Sequence, residues 1–344
     1  MKNRILVTGG TGYIGSHTVV ELIEKGFEVI SVDSLHNSEA WINDRIGIIT
    51  GITPALEIFD LCETDRLDNL FNKYPGISAV IHFAAFKAVG ESVLKPLEYY
   101  RNNILSTINL LEMMKKYRVK YMVFSSSCTV YGQPDRLPVT EDSPLQPATS
   151  PYGNTKKICE DIIRDTTVAF NEIKAISLRY FNPIGAHPSA LIGELPRGVP
   201  ENLVPFITQT AIGLRDELKV FGNDYNTPDG SCIRDYLHVS DLARAHVKAV
   251  ERLISNSNKT DYEIFNLGTG KGVSVLEVIN TFEKVTGIRL KYRITGRRRG
   301  DIEQIWADAS LANRELGWKT EYSLGDALKS AWEWEKNLRK IKSI

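Results

Sequence analysis

The sequence predicts an α/β protein, a doubly wound parallel Rossmann sheet with a smaller C-terminal α/β substrate-binding domain. Three observations lead to this prediction. Short apolar runs alternate with helical patterns before residue 181, which is typical of β-α-β units. A glycine-rich stretch separates the first apolar run from the first helical pattern. Beyond residue 181 the chain becomes rich in proline and glycine.

The element boundaries follow from these patterns. Residues 181–205 hold no clear periodic element, so we expect a long loop there. We predict a Rossmann domain at residues 1–181, to which a later segment of about 237–267 returns, and a mainly substrate-binding domain at 182–344. The first helix is predicted over residues 14–25, and strands are predicted over 4–7, 27–32, 56–59, 79–83, 121–124 and 175–180.

The charge balance favours neither nucleic acid nor a membrane surface as a partner. Among 344 residues, 42 lysines and arginines balance 42 aspartates and glutamates, so the formal net charge is zero. No apolar run approaches the roughly 20 residues that span a bilayer. No signal peptide is visible. We therefore expect a cytoplasmic protein.

The cysteines give no sign of a metal or redox site. Cys62, Cys128, Cys159 and Cys232 lie far apart and show no C-x-x-C spacing. We expect four free, reduced thiols and no metal.

The glycine-rich stretch predicts a dinucleotide site. Gly9, Gly12 and Gly15 follow the first predicted strand and open the first predicted helix. Glycine is needed here because the turn requires unusual backbone angles and the pyrophosphate approaches bare backbone. The helix N-terminus then presents free N–H groups to the phosphates.

Two aspartates follow neighbouring strands and predict contacts to the adenosine part of the cofactor. Asp33 ends the second strand, where a carboxylate binds both ribose hydroxyls and repels a 2′-phosphate. It therefore favours NAD over NADP. Asp60 follows the third strand and would face the adenine. For each of them, the alternative is an aspartate that only caps a turn.

A tyrosine and a lysine predict proton transfer. Tyr152 and Lys156 are four residues apart, so a helix places them on one face. We expect the ammonium to lie near the phenol and to lower its pKa. Ser125, Ser126 and Ser127 end the strand before this helix, where ligands bind in doubly wound folds. One serine can bridge the phenol and a substrate hydroxyl; the others suit a polar turn or a helix cap.

With these residues in place, the chain resembles the extended short-chain dehydrogenase/reductase family, the NAD-dependent epimerases and dehydratases. The matching stretches run in order along nearly the whole chain: Val7–Gly15, His82–Ala85, Lys87–Ser92, Ser125–Gly132, Ser150–Lys156, Leu178–Pro188, Phe221–Tyr225, Arg234–Val239, Phe265–Gly268 and Trp306–Asp308. The resemblance implies a UDP-hexose 4-epimerase that interconverts UDP-glucose and UDP-galactose. Tyr152 would take the proton of the sugar 4-hydroxyl, directly or through Ser127, while NAD takes and returns the C4 hydride.

The resemblance also implies the residues that hold both ligands. It implies that the catalytic residues are Ser127, Tyr152 and Lys156. Cofactor contacts are implied for Gly9, Gly12, Tyr13, Ile14, Gly15, Asp33, Asn37, Asp60, Leu61, Phe83, Ala84, Lys87, Asn102, Ser125, Tyr152, Lys156 and Tyr180. Substrate contacts are implied for Lys87, Ser127, Tyr152, Asn182, Asn202, Leu203, Phe221, Arg234, Tyr236, Arg298, Asp301 and Ile305. Two of these residues are arginines, which suit a diphosphate because a guanidinium binds it through two hydrogen bonds.

Two positions bear on the exact reaction. Cys128 and Thr129 stand where sugar 4,6-dehydratases of the family carry an Asp-Glu pair, so elimination of water is not expected. Ile305 stands where strict glucose/galactose epimerases often carry tyrosine and relatives that take N-acetylated sugars carry a smaller residue. The alternatives are a UDP-N-acetylglucosamine or UDP-uronate 4-epimerase, a net dehydrogenase or reductase, and a silent NAD-binding protein.

The resemblance further suggests a homodimer through a four-helix bundle. The candidate helical segments are residues 94–117 and 155–170. The alternative is that both segments use their apolar faces against the sheet of the same chain.

Overall fold

The structure is a computed structural model that describes residues 3–298 and 301–342. The N-terminal half alternates strands and helices as predicted. Its elements are β1 (Arg4–Thr8), α1 (Tyr13–Glu24), β2 (Glu28–Asp33), α2 (Trp41–Thr50), β3 (Ala55–Ile58), α3 (Thr64–Lys73), β4 (Ile77–His82), α4 (Val89–Leu94), α5 (Pro96–Tyr117), β5 (Tyr121–Ser125), α6 (Pro151–Ala169) and β6 (Lys174–Tyr180).

The C-terminal half is built from shorter strands and from helices. Its elements are β7 (Asn182–Ile184), α7 (Leu203–Ala211), β8 (Leu218–Phe221), β9 (Ile233–Arg234), β10 (Tyr236–His238), α8 (Val239–Ile254), β11 (Tyr262–Leu267), β12 (Val273–Ser274), α9 (Val275–Thr286), β13 (Tyr292–Thr295), β14 (Gln304–Ile305), α10 (Ser310–Glu315) and α11 (Leu324–Lys342).

The central sheet confirms the predicted fold class. Seven parallel strands lie in the order β11-β6-β5-β4-β1-β2-β3. The strand order reverses between β1 and β4, and in doubly wound sheets this switch point opens the crevice that takes the ligand. β11 comes from the later segment and pairs with β6, although the predicted domain boundary at residue 181 itself stays a prediction.

Apolar side chains cover both faces of this sheet. On one face, residues of α1 and α8 pack against the strands, with Val19, Leu242 and Leu253 fully buried. On the other face, residues of α3, α5 and α6 do the same, with Leu67 and Ile163 fully buried. A separate core joins α7, α9 and α11 to β8. The carboxyl ends of the strands are therefore held in place by helices packed on both faces of the sheet.

Some predicted boundaries were wrong by a small margin, and each has a physical reason. The loop predicted at 181–205 contains β7 and the start of α7, because β7 is only three residues long and pairs with β10 from a distant part of the chain. The helix predicted from residue 94 is two helices, since Pro96 cannot continue α4 and instead opens α5. The segment predicted over 155–170 lies in α6, apart from its last residue.

Candidate active site

The glycine turn between β1 and α1 has the shape that a pyrophosphate needs. Gly9 has a φ of +71°, and a Cβ there would lie 2.9 Å from the backbone N of Ala84. A Cβ on Gly15 would lie 2.0 Å from the carbonyl oxygen of Gly9. Gly12 precedes α1 and offers no side-chain cap, so the first N–H groups of the helix remain available to a ligand. These residues fit an NAD pyrophosphate.

The Asp33 carboxylate lies beside this turn and is almost completely buried. It accepts hydrogen bonds from the backbone N of Thr11 at 3.2 Å, the backbone N of Leu35 at 2.9 Å and the hydroxyl of Ser38 at 2.9 Å. The carboxylate therefore caps the turn after β2 and also ties that turn to the glycine turn. Asp60 accepts a hydrogen bond from the backbone N of Cys62 at 2.9 Å, as the turn alternative expects.

The remaining predicted cofactor residues lie along the carboxyl ends of the strands or on the helices beside them. Ala84 follows β4, and its backbone N donates to the Thr8 hydroxyl at 3.2 Å. Ser125 donates to the Tyr180 hydroxyl at 2.9 Å across the ends of β5 and β6. Asn37 is exposed in the loop after β2. The others are Tyr13 and Ile14 at the start of α1, Leu61 after β3, Phe83 after β4, Lys87 before α4 and Asn102 on α5.

Tyr152 and Lys156 reach the site because of how α6 begins. The Ser150 hydroxyl accepts a hydrogen bond from the backbone N of Gly153 at 3.2 Å, and Pro151 occupies the first turn. This cap starts the helix immediately before Tyr152. Tyr152 and Lys156 then lie one turn apart, and both are buried. Ser127 lies just beyond the end of β5, where its hydroxyl accepts a hydrogen bond from the backbone N of Thr129 at 3.2 Å and lowers the pKa of the nearby Tyr152 phenol.

The prediction that the Tyr152 phenol has a lowered pKa was wrong. Burial raises the pKa of the Tyr152 phenol well above its usual value, and the nearby Tyr180, Cys128 and Tyr99 raise it further. The Ser127 hydroxyl acts in the opposite direction and lowers it. The Lys156 Nζ instead donates to the Ser125 carbonyl at 2.7 Å and lies 6.0 Å from the centre of the Tyr152 ring.

The same burial acts on Lys156. It lowers the pKa of the ammonium to about 8, against a smaller opposing effect from Cys159 and Glu160. The ammonium therefore keeps its charge below that pH. The structure places a charged amine and a neutral phenol on one face of α6, with the Ser127 hydroxyl beside the phenol.

The predicted substrate residues lie in the C-terminal half, apart from Lys87, Ser127 and Tyr152. Arg234 and Ile305 are neighbours in register on β9 and β14. Arg298 lies 5.5 Å above the Phe221 ring and forms three hydrogen bonds with the Asp301 carboxylate, the shortest at 2.7 Å. Arg298 and Asp301 are thus paired with each other here. The other four are Asn182 on β7, Asn202 directly before α7, Leu203 at the start of α7 and Tyr236 on β10.

Glu194 is a residue of this region that the sequence analysis missed. Its carboxylate accepts a hydrogen bond from the Asn202 amide at 2.6 Å and lies 3.6 Å from the Lys87 Nζ. It therefore joins two predicted substrate residues that come from different halves of the chain. Glu194 lies in the proline- and glycine-rich segment, where no periodicity or motif pointed to it.

Asp235 was also missed. It is fully buried between the predicted substrate residues Arg234 and Tyr236. Its carboxylate accepts hydrogen bonds from the backbone N of Thr269 at 2.8 Å and of Ala307 at 3.2 Å. It thus holds the segment that carries Ile305 against β9. Asp235 separates β9 from β10, and its place inside the matching stretch Arg234–Val239 was the signal that could have found it.

Comparisons with known proteins give matches over nearly the whole chain. The profile of the family described as GDP-mannose 4,6 dehydratase matches residues 6–331. UDP-glucose 4-epimerase of Bacillus subtilis (strain 168) is 51% identical over 331 residues, 96% of each chain. The Homo sapiens enzyme is 47% identical over 98% of this chain and 97% of its own.

The chain belongs to the UDP-glucose 4-epimerase family.

Solved structures of UDP-glucose 4-epimerases agree in fold over nearly the whole chain. The Stenotrophomonas maltophila enzyme, with bound NAD and formylated UDP-arabinopyranose, has a TM-score of 0.95 and 48% identity, and the match covers 99% of this chain and 100% of that one. The Bifidobacterium longum enzyme, in complex with NAD+ and UDP, has a TM-score of 0.93 and 47% identity, with coverages of 97% and 98%. A UDP-Glc/GlcNAc 4-epimerase from Campylobacter jejuni is 36% identical, with a TM-score of 0.83 and coverages of 97% and 99%.

The site agrees with the epimerases rather than with the dehydratase for which the family profile is named. Cys128 stands where the resemblance puts an acid in the dehydratases, and burial raises the pKa of its thiol to about 12. A neutral thiol and the neighbouring Thr129 cannot supply the carboxylates that elimination uses. The family assignment as an epimerase and the local chemistry therefore agree.

Proposed function

We propose that this protein interconverts UDP-glucose and UDP-galactose by transient oxidation at C4 of the bound sugar. One observation carries the proposal. The buried Tyr152, Lys156 and Ser127 meet at the carboxyl ends of β5 and β6, in a chain that matches UDP-glucose 4-epimerases along nearly its whole length. Bound NAD supplies the hydride acceptor and donor. The net reaction is an isomerisation.

The protein's own residues move the proton and hold the substrate. The Tyr152 side chain first releases its own proton to solvent, and as a phenolate it accepts the proton of the sugar 4-hydroxyl and later returns it, with the Ser127 hydroxyl bridging the two oxygens. Lys156 supplies the fixed positive charge that this transfer needs, because a buried phenol does not ionise by itself near neutral pH. Holding the reactants in line supplies much of the remaining rate.

The predicted binding residues keep their roles as part of this proposal. Asp33 and the glycine turn hold the two ends of the adenosine diphosphate half of NAD. Arg234 and Arg298 bind the UDP diphosphate. This requires Arg298 to exchange its hydrogen bonds with Asp301 for bonds to the phosphates, which frees the Asp301 carboxylate for the uridine ribose. The domain division at residue 181 places NAD and the UDP-sugar mainly on different domains.

The test is turnover of UDP-sugars by the purified protein. We expect rapid interconversion of UDP-glucose and UDP-galactose with no net change in NADH absorbance. Fast turnover of UDP-N-acetylglucosamine or a UDP-uronate, together with negligible turnover of the glucose and galactose compounds, would contradict the proposal. A stoichiometric rise in NADH would indicate a dehydrogenase instead.

We also propose that the protein is a homodimer. Large apolar side chains are exposed on α4, α5 and α6: Leu94 is 82% exposed, Leu97 is 78% exposed and Val168 is 80% exposed. Exposed apolar surface of this kind is typical of a protein interface. A second copy of the chain is the proposed partner, as the predicted four-helix bundle requires. Light scattering should give a dimer for the wild type and a monomer for Leu97→Glu, whereas a wild-type monomer would contradict the proposal.

A cytoplasmic location completes the proposal. The four cysteines are free, as a reducing compartment requires. Among the described residues, no helix is both long and apolar enough to cross a membrane. Cell fractionation with an antibody against the protein tests the location.

A further inference from the structure

A buried ion pair lies behind the catalytic residues and has no part in the mechanism above. The Glu160 carboxylate and the Arg179 guanidinium are each 3% exposed. Three hydrogen bonds join them, at 2.6, 3.0 and 3.2 Å. Glu160 lies on α6, one helical turn after Lys156, and Arg179 lies on β6 next to the cofactor residue Tyr180.

One arm of the network, a series of hydrogen bonds that begins at this pair, leads to the residue before the catalytic serine. The Ser126 hydroxyl donates to the Glu160 carboxylate at 2.5 Å, and Ser126 is fully buried. Its backbone N donates to the Leu178 carbonyl at 3.0 Å. Ser126 is therefore held by both its side chain and its backbone. Ser127, the next residue, takes its position from this anchor.

A second arm reaches the wall of the sugar pocket. The Arg179 guanidinium donates to the Tyr131 hydroxyl at 3.0 Å, which in turn donates to the Asn266 amide oxygen at 2.7 Å. The Asn266 amide nitrogen donates to the Val139 carbonyl at 3.0 Å. The backbone N of Val139 donates to the carbonyl of Trp306, the residue after Ile305.

The ion pair is better placed to position residues than to stabilise the fold. A buried ion pair gives little net stability, because the loss of hydration offsets most of the attraction. A buried ion pair can instead fix the positions of its neighbours when each of its polar atoms has a hydrogen-bond partner and the neighbours include catalytic groups. Both conditions hold here, since the hydrogen bonds of the two arms end beside Ser127 and Ile305.

We propose that Glu160 and Arg179 are positioning residues for the epimerase reaction, which hold the Ser127 hydroxyl through Ser126 and the Ile305 segment through Tyr131 and Asn266. The inference rests on the proposed function for the reaction it serves. It adds that the proton path and the sugar pocket are held by one connected network of buried hydrogen bonds.

Ser126→Ala tests the arm that leads to Ser127. It removes one hydroxyl, leaves the ion pair intact and adds no bulk. The matched control is Ser177→Ala, since Ser177 is equally buried on β6 and hydrogen-bonds the Tyr262 hydroxyl at 2.8 Å, with no contact to a catalytic residue. Both variants lose one buried hydrogen bond, so both should lose similar thermal stability.

The two variants should differ in catalysis. In the holoenzyme we expect Ser126→Ala to lower kcat about tenfold with KM nearly unchanged, because the substrate still binds but the proton path is misaligned. Ser177→Ala should keep kcat near the wild-type value. Equal kcat values for both variants and the wild type would overturn the positioning role.

A second readout does not depend on turnover. The ionisation of Tyr152 can be followed by NMR of ring-labelled tyrosine, with its signal assigned by its loss in Tyr152→Phe. The Ser127 hydroxyl lowers the pKa of this phenol, so Ser126→Ala should raise it and Ser177→Ala should not. If the wild type does not interconvert UDP-sugars, the proposed function fails, and the presence or absence of this shift still decides the positioning role.

Discussion

Tyr152 has to release and accept a proton at a position where burial keeps its phenol neutral. Burial raises the pKa of the phenol, and the Ser127 hydroxyl opposes this shift. The Lys156 ammonium is bound to the Ser125 carbonyl. At the scale of single residues, the proposed proton transfer would therefore depend on Ser127, on Lys156 and on the charge of bound NAD.

Tyr152→Phe tests the proton acceptor. The variant keeps the ring and its packing but loses the hydroxyl, so we expect kcat to fall by about a thousandfold. NAD should remain bound, as measured by absorbance of the released nucleotide after denaturation. The control is Tyr121→Phe, whose hydroxyl binds only Asn256 at the protein surface, and it should keep full activity. Wild-type turnover by Tyr152→Phe would rule out the assigned role.

A substitution of Ile305 tests whether this residue limits the size of the sugar pocket. Its side chain is 2% exposed in the described protein and packs with Phe181 and Ala307. Ile305→Ala should raise the turnover of UDP-N-acetylglucosamine relative to UDP-glucose by about tenfold, because it makes room for the acetyl group. Ile302→Ala, a change of the same size in the same cluster, should leave the ratio unchanged. An unchanged ratio in Ile305→Ala would remove Ile305 from the pocket.

At the scale of elements, two helix starts position the predicted functional residues. The glycine turn joins β1 to α1 so tightly that side chains do not fit, which exposes the start of the helix. The cap at Ser150 starts α6 so that Tyr152 and Lys156 share a face. The glycine turn and the Ser150 cap each depend on neighbouring residues, so both can be recognised in the sequence.

Gly15→Ala tests the glycine turn. The added Cβ would lie 2.0 Å from the Gly9 carbonyl oxygen, so α1 must move away from β1. We expect NAD binding to weaken by at least about tenfold, measured by calorimetry on protein stripped of nucleotide. Gly296→Ala is the control because a Cβ there meets no atom within 4 Å. Undiminished NAD affinity in Gly15→Ala would argue against the turn as the pyrophosphate site.

At the scale of the whole molecule, one sheet edge gathers groups from distant parts of the chain. Helices on both faces hold this edge, and the C-terminal half packs its own core around α9 and α11. Several histidines are buried in this assembly. Burial lowers the pKa of His17 and His82 to about 3, and that of His238 and His246 to about 4.

These histidines predict a loss of stability in acid. In the unfolded chain each has its ordinary pKa of 6.5, so between about pH 6.5 and about pH 4 the unfolded state binds more protons than the folded state. The free energy of unfolding should therefore fall as the pH falls through this window. Thermal melts at about pH 7 and about pH 5 measure the effect.

The variant His246→Leu isolates one of these groups. It removes a buried imidazole whose Nδ1 hydrogen-bonds the Leu242 carbonyl at 2.9 Å. The difference between the two melting temperatures should shrink in His246→Leu. It should stay the same in His36→Gln, since His36 is exposed. An equal pH dependence in all three proteins would show that buried histidines do not govern acid stability.

Local patterns predicted most of the N-terminal half. Alternating apolar runs located six of the seven strands of the sheet within two residues, and the spacing of Tyr152 and Lys156 placed both on one helix face, because these signals depend only on neighbouring residues. The places of Asp33 and Ser127 at strand ends also followed from these patterns, and the roles of both residues stay predictions. The short strands β7, β9 and β14 escaped prediction, since each exists only through a partner strand far along the chain.

The sequence by itself determined the fold class and the NAD cofactor and predicted the catalytic pair, because glycine geometry, helix periodicity and the alternation of strands with helices are local properties of the chain. Only the tertiary structure decided where Lys156 directs its ammonium, that Glu194 joins Lys87 to Asn202, and that Glu160 and Arg179 lie buried behind Ser126. Those facts depend on burial and on contacts between distant residues. Burial sets the pKa of each group, and no short stretch of sequence records it.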